Sequence, residues 1–320
     1  MKKALKIVGI LLGVIVLVAL GGFVYINSSG IPSYEPGKID IKVQSTPESI
    51  ARGQKLVSLL CANCHMSSTT GKLTGKQMTD APPEFGTIYS ANITQDPKHG
   101  IGTYTDGELL YLLRTGIKRD GKYAPPWMAK LPNMADEDLH AIISFLHSDD
   151  PIVAADPTIA PLSQPSFLTK LLCRIAFKPL PYPTKTIPLP DTTETLALGR
   201  YLVHNLDCYT CHSADFKTMN MLNPELSEGY MGGGNTMLNL EGKAIKTQNI
   251  TPDEETGIGK WSEEQFVKAV KYGLKDGEEA LRYPMVPFTN LTDLEARAIY
   301  QYLKTVPPLK NKVGRTVFEE

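Results

Sequence analysis

Two copies of a Cys-x-x-Cys-His run carry the chemistry of this 320-residue sequence: Cys61-Ala62-Asn63-Cys64-His65 and Cys208-Tyr209-Thr210-Cys211-His212. The run is the attachment signature for c-type haem. Two thiols three residues apart on a helical turn can both reach the haem vinyl groups and form thioethers. The adjacent His then keeps an imidazole nitrogen for iron. A lone run of this kind also suits half a zinc site or a redox Cys-x-x-Cys. Zinc would want a second Cys or His pair in the same unit, yet His99, His140, His147 and His204 have no counterparts in the other half. A thioredoxin-like motif would want a βαβ context, and none is present. The reading is two covalently bound haem c groups, held by Cys61, Cys64 and His65 and by Cys208, Cys211 and His212.

Iron bound to His needs a sixth ligand or a vacancy. Most of the ten Met residues are ordinary gap-filling hydrophobes. An internal repeat discriminates among them. A shift of 157 maps Asn92-Ile93-Thr94 onto Asn249-Ile250-Thr251, Gly100-Ile101-Gly102 onto Gly257-Ile258-Gly259, Tyr104 onto Trp261 and Met128 onto Met285. Met128 and Met285 lie in Pro-rich loops and are the expected axial ligands, with His65 and His212 opposite; a Met sulfur raises the reduction potential. Met134 aligns with Leu291 and is expected in the core, whereas Met66 and Met78 have no aligned Met. Tyr104 and Trp261 are expected as core aromatics or haem contacts. Asn92 and Asn249 are open between a turn role and a bond near the haem edge. Between motif and Asn-Ile-Thr the second unit is ten residues longer, assigned to the loop around Met231-Gly232-Gly233-Gly234-Asn235. An apolar cleft is expected beside each motif.

The elements that must position these groups are helical. Leu56, Val57 and Leu60 precede the first motif, and Leu202, Val203 and Leu206 precede the second, as apolar stripes. Thr105-x-x-Glu108 and Ser262-x-x-Gln265 are capping boxes, and the helices they open should stop at Gly116 and Gly273. Closing helices are expected over about Asp136–His147 and Asp293–Lys304, the second capped by Thr292-x-x-Glu295. Strand signals are scarce, so the fold class is mainly α. The expected organisation is an anchor (1–27), a tether (28–46), a first domain (47–150), a Pro-rich linker (151–191), a second domain (192–308) and a tail (309–320). Within the linker, 167–177 could form a short helix; it is read chiefly as packing on a domain, with membrane-surface contact as the minor alternative. Cys173 is read as a buried small hydrophobe.

Residues Ile7 to Ile26 contain no charge. About twenty helical residues cross a hydrocarbon core of ~30 Å. Lys2, Lys3 and Lys6 precede the run, and the next basic residue is Lys38, which places the N-terminus in the cytoplasm and the body outside. A single-pass anchor in the cell membrane is favoured over a cleaved signal peptide, with the haem domains on the periplasmic or extracytoplasmic side. The 33 basic and 34 acidic residues give a net charge of −1, without the long-range pull toward nucleic acid that a basic protein exerts. Five cysteines are too few for a disulfide scaffold of this size.

The two motifs, each followed by a Met before a closing helix, resemble class I type cytochrome c, in two tandem domains. Asn249-Ile250-Thr251-Pro252 through Trp261-Ser262, then Tyr283-Pro284-Met285, resemble the membrane-bound cytochrome c subunits of bacterial alcohol and gluconate dehydrogenases. Those subunits are typically tri-haem, and this chain has two motifs with its anchor at the start. The resemblance implies that a Pro carbonyl accepts the proximal His N–H: Pro82 or Pro83 in the first unit, with no obvious Pro in the second. The implied function is not enzymatic. It is a relay of single electrons between redox partner proteins, with a dehydrogenase and the respiratory chain as candidates. The alternatives are a di-haem peroxidase-like enzyme or a gas-binding sensor, either of which needs an open iron.

Overall fold

Helix α1 (Lys2–Ser29) opens the chain in the computed structural model, which describes residues 1–275, 277 and 279–314. None of its residues is buried, and it is long and apolar enough to cross a membrane. The segment after it, expected as a tether, lies along the first half. The Tyr34 amide donates to the Gly121 carbonyl at 2.8 Å, and the Val43 amide donates to Asp106 Oδ2 at 2.8 Å. Ile39, Ile41 and Val43 pack on the first core. Their apolar side chains and matched backbone donors give this stretch a seat on the body.

The first half is built on α2 (Pro47–Leu60), α3 (Ala62–His65), α4 (Asp106–Thr115) and α5 (Asp136–Leu146). Thr46 and Ser49 cap α2 reciprocally, and Thr105 and Glu108 do the same for α4. Helix α4 ends at Gly116, whose φ of 81° is a left-handed conformation that glycine adopts without Cβ strain. Helix α2 crosses α5 so closely that a Cβ at Gly53 would sit 1.9 Å from the Ala141 carbonyl oxygen. Around that crossing Val57, Leu139, Ile142, Ile143 and Phe145 are fully buried. Burying each such side chain is worth about 1.5–3 kcal/mol.

The linker stays on this half. Val153 joins its core, and Gly86–Thr87 (β1) pairs antiparallel with Gln164–Pro165 (β2). Helix α6 (Phe167–Ile175) follows, with Cys173 fully buried. It ends two residues before the expected 177, because the Ala176 and Phe177 amides both turn back to the Leu172 carbonyl.

The second half repeats the plan with α7 (Thr195–Asn205), α8 (Cys208–His212), α9 (Glu263–Tyr272) and α10 (Asp293–Leu303). A Cβ at Gly199 would meet the Ala298 carbonyl at 2.0 Å, and Gly273 closes α9 at φ 71°. Val203, Met231, Ala296, Ile299 and Leu303 fill the core. Thr236–Leu238 (β3) and Ala244–Lys246 (β4) form a hairpin. Of the segment expected as a tail, Leu309 and Asn311 bond to Thr251 and Gly232, whereas residues 315–320 lie outside the described residues.

The halves meet through specific polar contacts. Tyr201 and Arg52 both donate to Asp138, and Lys55 pairs with Glu295. Leu59 and Leu60, just before the first motif, pack on the second core.

Candidate haem attachment sites

Each motif occupies one helical turn that starts where a longer helix ends. The His65 amide donates to the Cys61 carbonyl at 2.8 Å, and the Cys64 amide donates to the same oxygen at 3.1 Å. All five cysteines are free thiols. Burial pushes Cys61, Cys208 and Cys211 up to about 12, with neighbouring thiols and acids adding to the rise, and raises Cys64 as well. A reactive redox Cys-x-x-Cys depends on an easily formed thiolate, and the raised thiols here are not of that kind. Among the described residues no cluster of three or more His, Cys, Asp or Glu could hold a metal ion.

Both motif histidines are locked in one tautomer. His65 Nδ1 lies 2.7 Å from the Ala91 carbonyl oxygen, and His212 Nδ1 lies 2.8 Å from that of Gln248. A carbonyl only accepts, so Nδ1 carries the proton and Nε2 keeps its lone pair for a metal. Burial lowers the pKa of both rings, against a smaller opposing effect of the carbonyl bond, and keeps them neutral at pH 7. The acceptors are not Pro82 or Pro83. They are the residues just before the two Asn-Ile-Thr repeats, and the repeat explains why. Asn92 Oδ1 accepts from Thr94 N at 2.8 Å, while its amide donates to the Asp156 and Thr158 carbonyls. Asn249 Oδ1 accepts from Thr251 N at 2.9 Å, while its amide donates to the Leu309 carbonyl. The Asn residues are therefore turn-formers that hold the His acceptors in place. The repeated Asn-Ile-Thr was the visible signal for a function that the sequence reading did not assign.

Gly75 N bonds the His65 carbonyl and Gly233 N bonds that of His212. Gly75 stands ten positions after its His and Gly233 twenty-one after its own, so the extra length of the second unit lies upstream of Gly233.

The Met loops are braced alike. Met128 N donates to the Pro125 carbonyl at 3.1 Å, and Met285 N donates to that of Arg282 at 3.0 Å. Leu131 N bonds the Leu113 carbonyl and Phe288 N that of Val270, each pair again 157 apart. Met128 and Met285 are half-buried, whereas Met134 and Leu291 are core. A buried cation absent from the sequence reading closes each loop. Arg114, fully buried, donates to the Leu131, Pro132 and Met134 carbonyls and pairs with Asp136. At the equivalent positions Lys271 pairs with Asp293. Tyr104 packs on the first core under the Arg119 guanidinium, and Trp261 packs on the second.

Beside burial, the main cause of the rise, the charge of Asp80 adds to the upward shift of both Cys64 and Cys211, one thiol from each motif. The two surface hollows described lie elsewhere. One is lined by Asn133, Tyr201 and His204, the other by the 36–42 segment and Tyr104. What fits a covalently held haem here is the donor set: paired neutral thiols beside a neutral imidazole with a free Nε2.

The cytochrome c family model matches residues 50–149, the segment that holds the first motif, its carbonyl lock and Met128. Residues 50–149 are a cytochrome c domain. The family implies covalently bound haem c. The chain is 30% identical to the cytochrome c subunit of the quinone alcohol dehydrogenase of Gluconacetobacter polyoxogenes, over 81% of this chain and 56% of that one. It is 30% identical to the gluconate 2-dehydrogenase cytochrome c subunit of Pantoea cypripedii, over 87% and 63%. It is 27% identical to a dihaem cytochrome c-type protein of Cereibacter sphaeroides, over 84% and 92%. The chain thus spans little more than half the length of the dehydrogenase subunits. The cytochrome c domain and the second half share both devices: the lock on His recurs across a segment ten residues longer in the second half, and the brace on the Met loop recurs at the same spacing.

Proposed function

We propose that this protein is a membrane-anchored di-haem cytochrome c that relays single electrons between a dehydrogenase and a respiratory acceptor. Cys61 and Cys64 would hold one haem and Cys208 and Cys211 the other, with His65 and Met128, and His212 and Met285, as axial ligands. The two units correspond to residues 47–150 and 192–308. Bound haem iron supplies reversible one-electron chemistry, and a filled His/Met shell favours carrying electrons over binding substrate.

The observation that carries the reading is the repeated lock, Ala91 on His65 and Gln248 on His212. Each carbonyl orients its ring and raises the basicity of Nε2. The neutral thiols are available for thioether formation. The braced loops give Met128 and Met285 a stiff support, and the buried Arg114 and Lys271 keep that support closed against the core. Helix α1 serves as the anchor, with Lys2, Lys3 and Lys6 in the cytoplasm and the haem units on the periplasmic side. The names of the relatives support a dehydrogenase as donor.

The test is haem stoichiometry. Acid–acetone extraction followed by a pyridine haemochrome assay should find two non-extractable haems per chain, falling to one when Cys208→Ala and Cys211→Ala are combined. One haem in the wild type would contradict the di-haem reading.

A further inference from the structure

Helix α6 has three distinct sectors at about 100° per residue. Thr169 and Cys173 face the body and are fully buried, and Thr169 Oγ1 donates to the Phe85 carbonyl at 2.8 Å. Lys170 and Arg174 face the end of α1. Lys170 donates to Asn27 at 2.9 Å, and Arg174 donates to the Gly30 carbonyl and Ser29 Oγ, each at 2.6 Å. Phe167 lies beside this sector, its ring 4.7 Å from that of Phe23. The third sector holds only Leu168, Leu171, Leu172 and Ile175. Leu168 is 41% exposed and Ile175 66% exposed.

Four aliphatic side chains on one open sector of a helix bolted to the exit of a membrane span need an apolar neighbour. The span supplies it. Phe23 belongs to the charge-free run, so its partner Phe167 lies at the level where the run ends. Tyr25 is set against the Arg174 guanidinium at 5.8 Å, an aromatic and a cation of the kind that occupies the headgroup layer.

We infer that α6 is an interfacial helix that lies in the outer boundary of the bilayer, sinking Leu168, Leu171, Leu172 and Ile175 among the acyl chains beside the anchor. This rests on the anchor reading above and adds a second membrane contact that fixes the tilt of the body. The strap reaches the second half: the Phe85 ring, whose backbone α6 holds, lies 6.2 Å from the Phe216 ring.

The experiment uses full-length holoprotein in nanodiscs of phosphatidylethanolamine and phosphatidylglycerol. In a Cys173→Ala background, single nitroxide labels go on Val14→Cys, Leu168→Cys, Ile175→Cys and Leu294→Cys, and power saturation compares oxygen with a water-soluble nickel chelate. Labels at 168 and 175 should favour oxygen, as the label at 14 does, while 294 favours nickel. If 14 favours oxygen but 168 and 175 behave like 294, the interfacial helix is wrong and the anchor stands. If 14 also behaves like 294, the anchor reading fails and takes the interfacial helix with it. Unchanged haem spectra in each variant certify the fold.

Discussion

Tyr201 of α7 donates its phenolic proton to Asp138 of α5, in the other half of the molecule, and Arg52 donates to the same carboxylate. The phenol oxygen also accepts from Ala135 N at 3.1 Å, so one hydroxyl satisfies groups on two sides of the junction. Tyr201→Phe leaves that buried carboxylate short of a donor, which costs about 1–3 kcal/mol. The urea midpoint of holoprotein should fall without change in either haem spectrum. An unchanged midpoint would mean that the halves are not coupled there.

His204 sets a pH dependence. Burial lowers its pKa to about 4, outweighing the nearby Glu225 that raises it; Arg200 adds to the lowering. Its Nε2 sits 2.9 Å from the Tyr230 hydroxyl. The folded state holds this ring neutral while the unfolded state protonates near 6.5, so the unfolded chain binds more protons between those values. Stability is then fully present above pH 6.5 and declines as pH falls toward 4, by up to roughly 3 kcal/mol. Denaturant titrations at pH 7 and pH 5 should show the drop, and His204→Gln should flatten it.

Asp80 acts on a thiol of each motif. A carboxylate disfavours the reduced haem, which carries one more electron, so removing its charge in Asp80→Asn should raise both midpoint potentials in a spectroelectrochemical titration. A rise in only one would show that the motifs do not share this carboxylate.

Arg114 is a buried cation whose loss strands Asp136 and three carbonyls. Arg114→Ala should cost about 3–5 kcal/mol and loosen the Met128 loop alone. The far-red sulfur-to-iron band of the ferric protein should lose about half its intensity, the share of one of two haems. Retention of the full band would separate the clamp from the ligand loop.

The parts legible in the sequence were those written within a few residues. Thr105 and Glu108, Ser262 and Gln265, and the stops at Gly116 and Gly273 satisfy a helix end locally, so type and spacing suffice. The cap of α2 went unread because Ser49 stands where the usual box has Glu or Gln. Gly53 and Gly199 look like weak helix residues until α5 and α10 are seen pressing on them. The seat of the 28–46 segment, the Arg114–Asp136 clamp and Tyr201 on Asp138 join residues far apart in the chain, and no local pattern encodes them. Ala91 and Gln248 were hidden for another reason: their role is played by a backbone carbonyl, which leaves no trace in residue type.

The most direct measurement is the ferric far-red spectrum, together with the midpoint potentials, of Met128→Ala and Met285→Ala. Each variant should lose the sulfur-to-iron band of one haem, lower that haem's potential and open it to cyanide, leaving its partner unchanged. If both variants keep the full band and both potentials, neither methionine is a ligand, and the account of two matched His/Met sites is wrong.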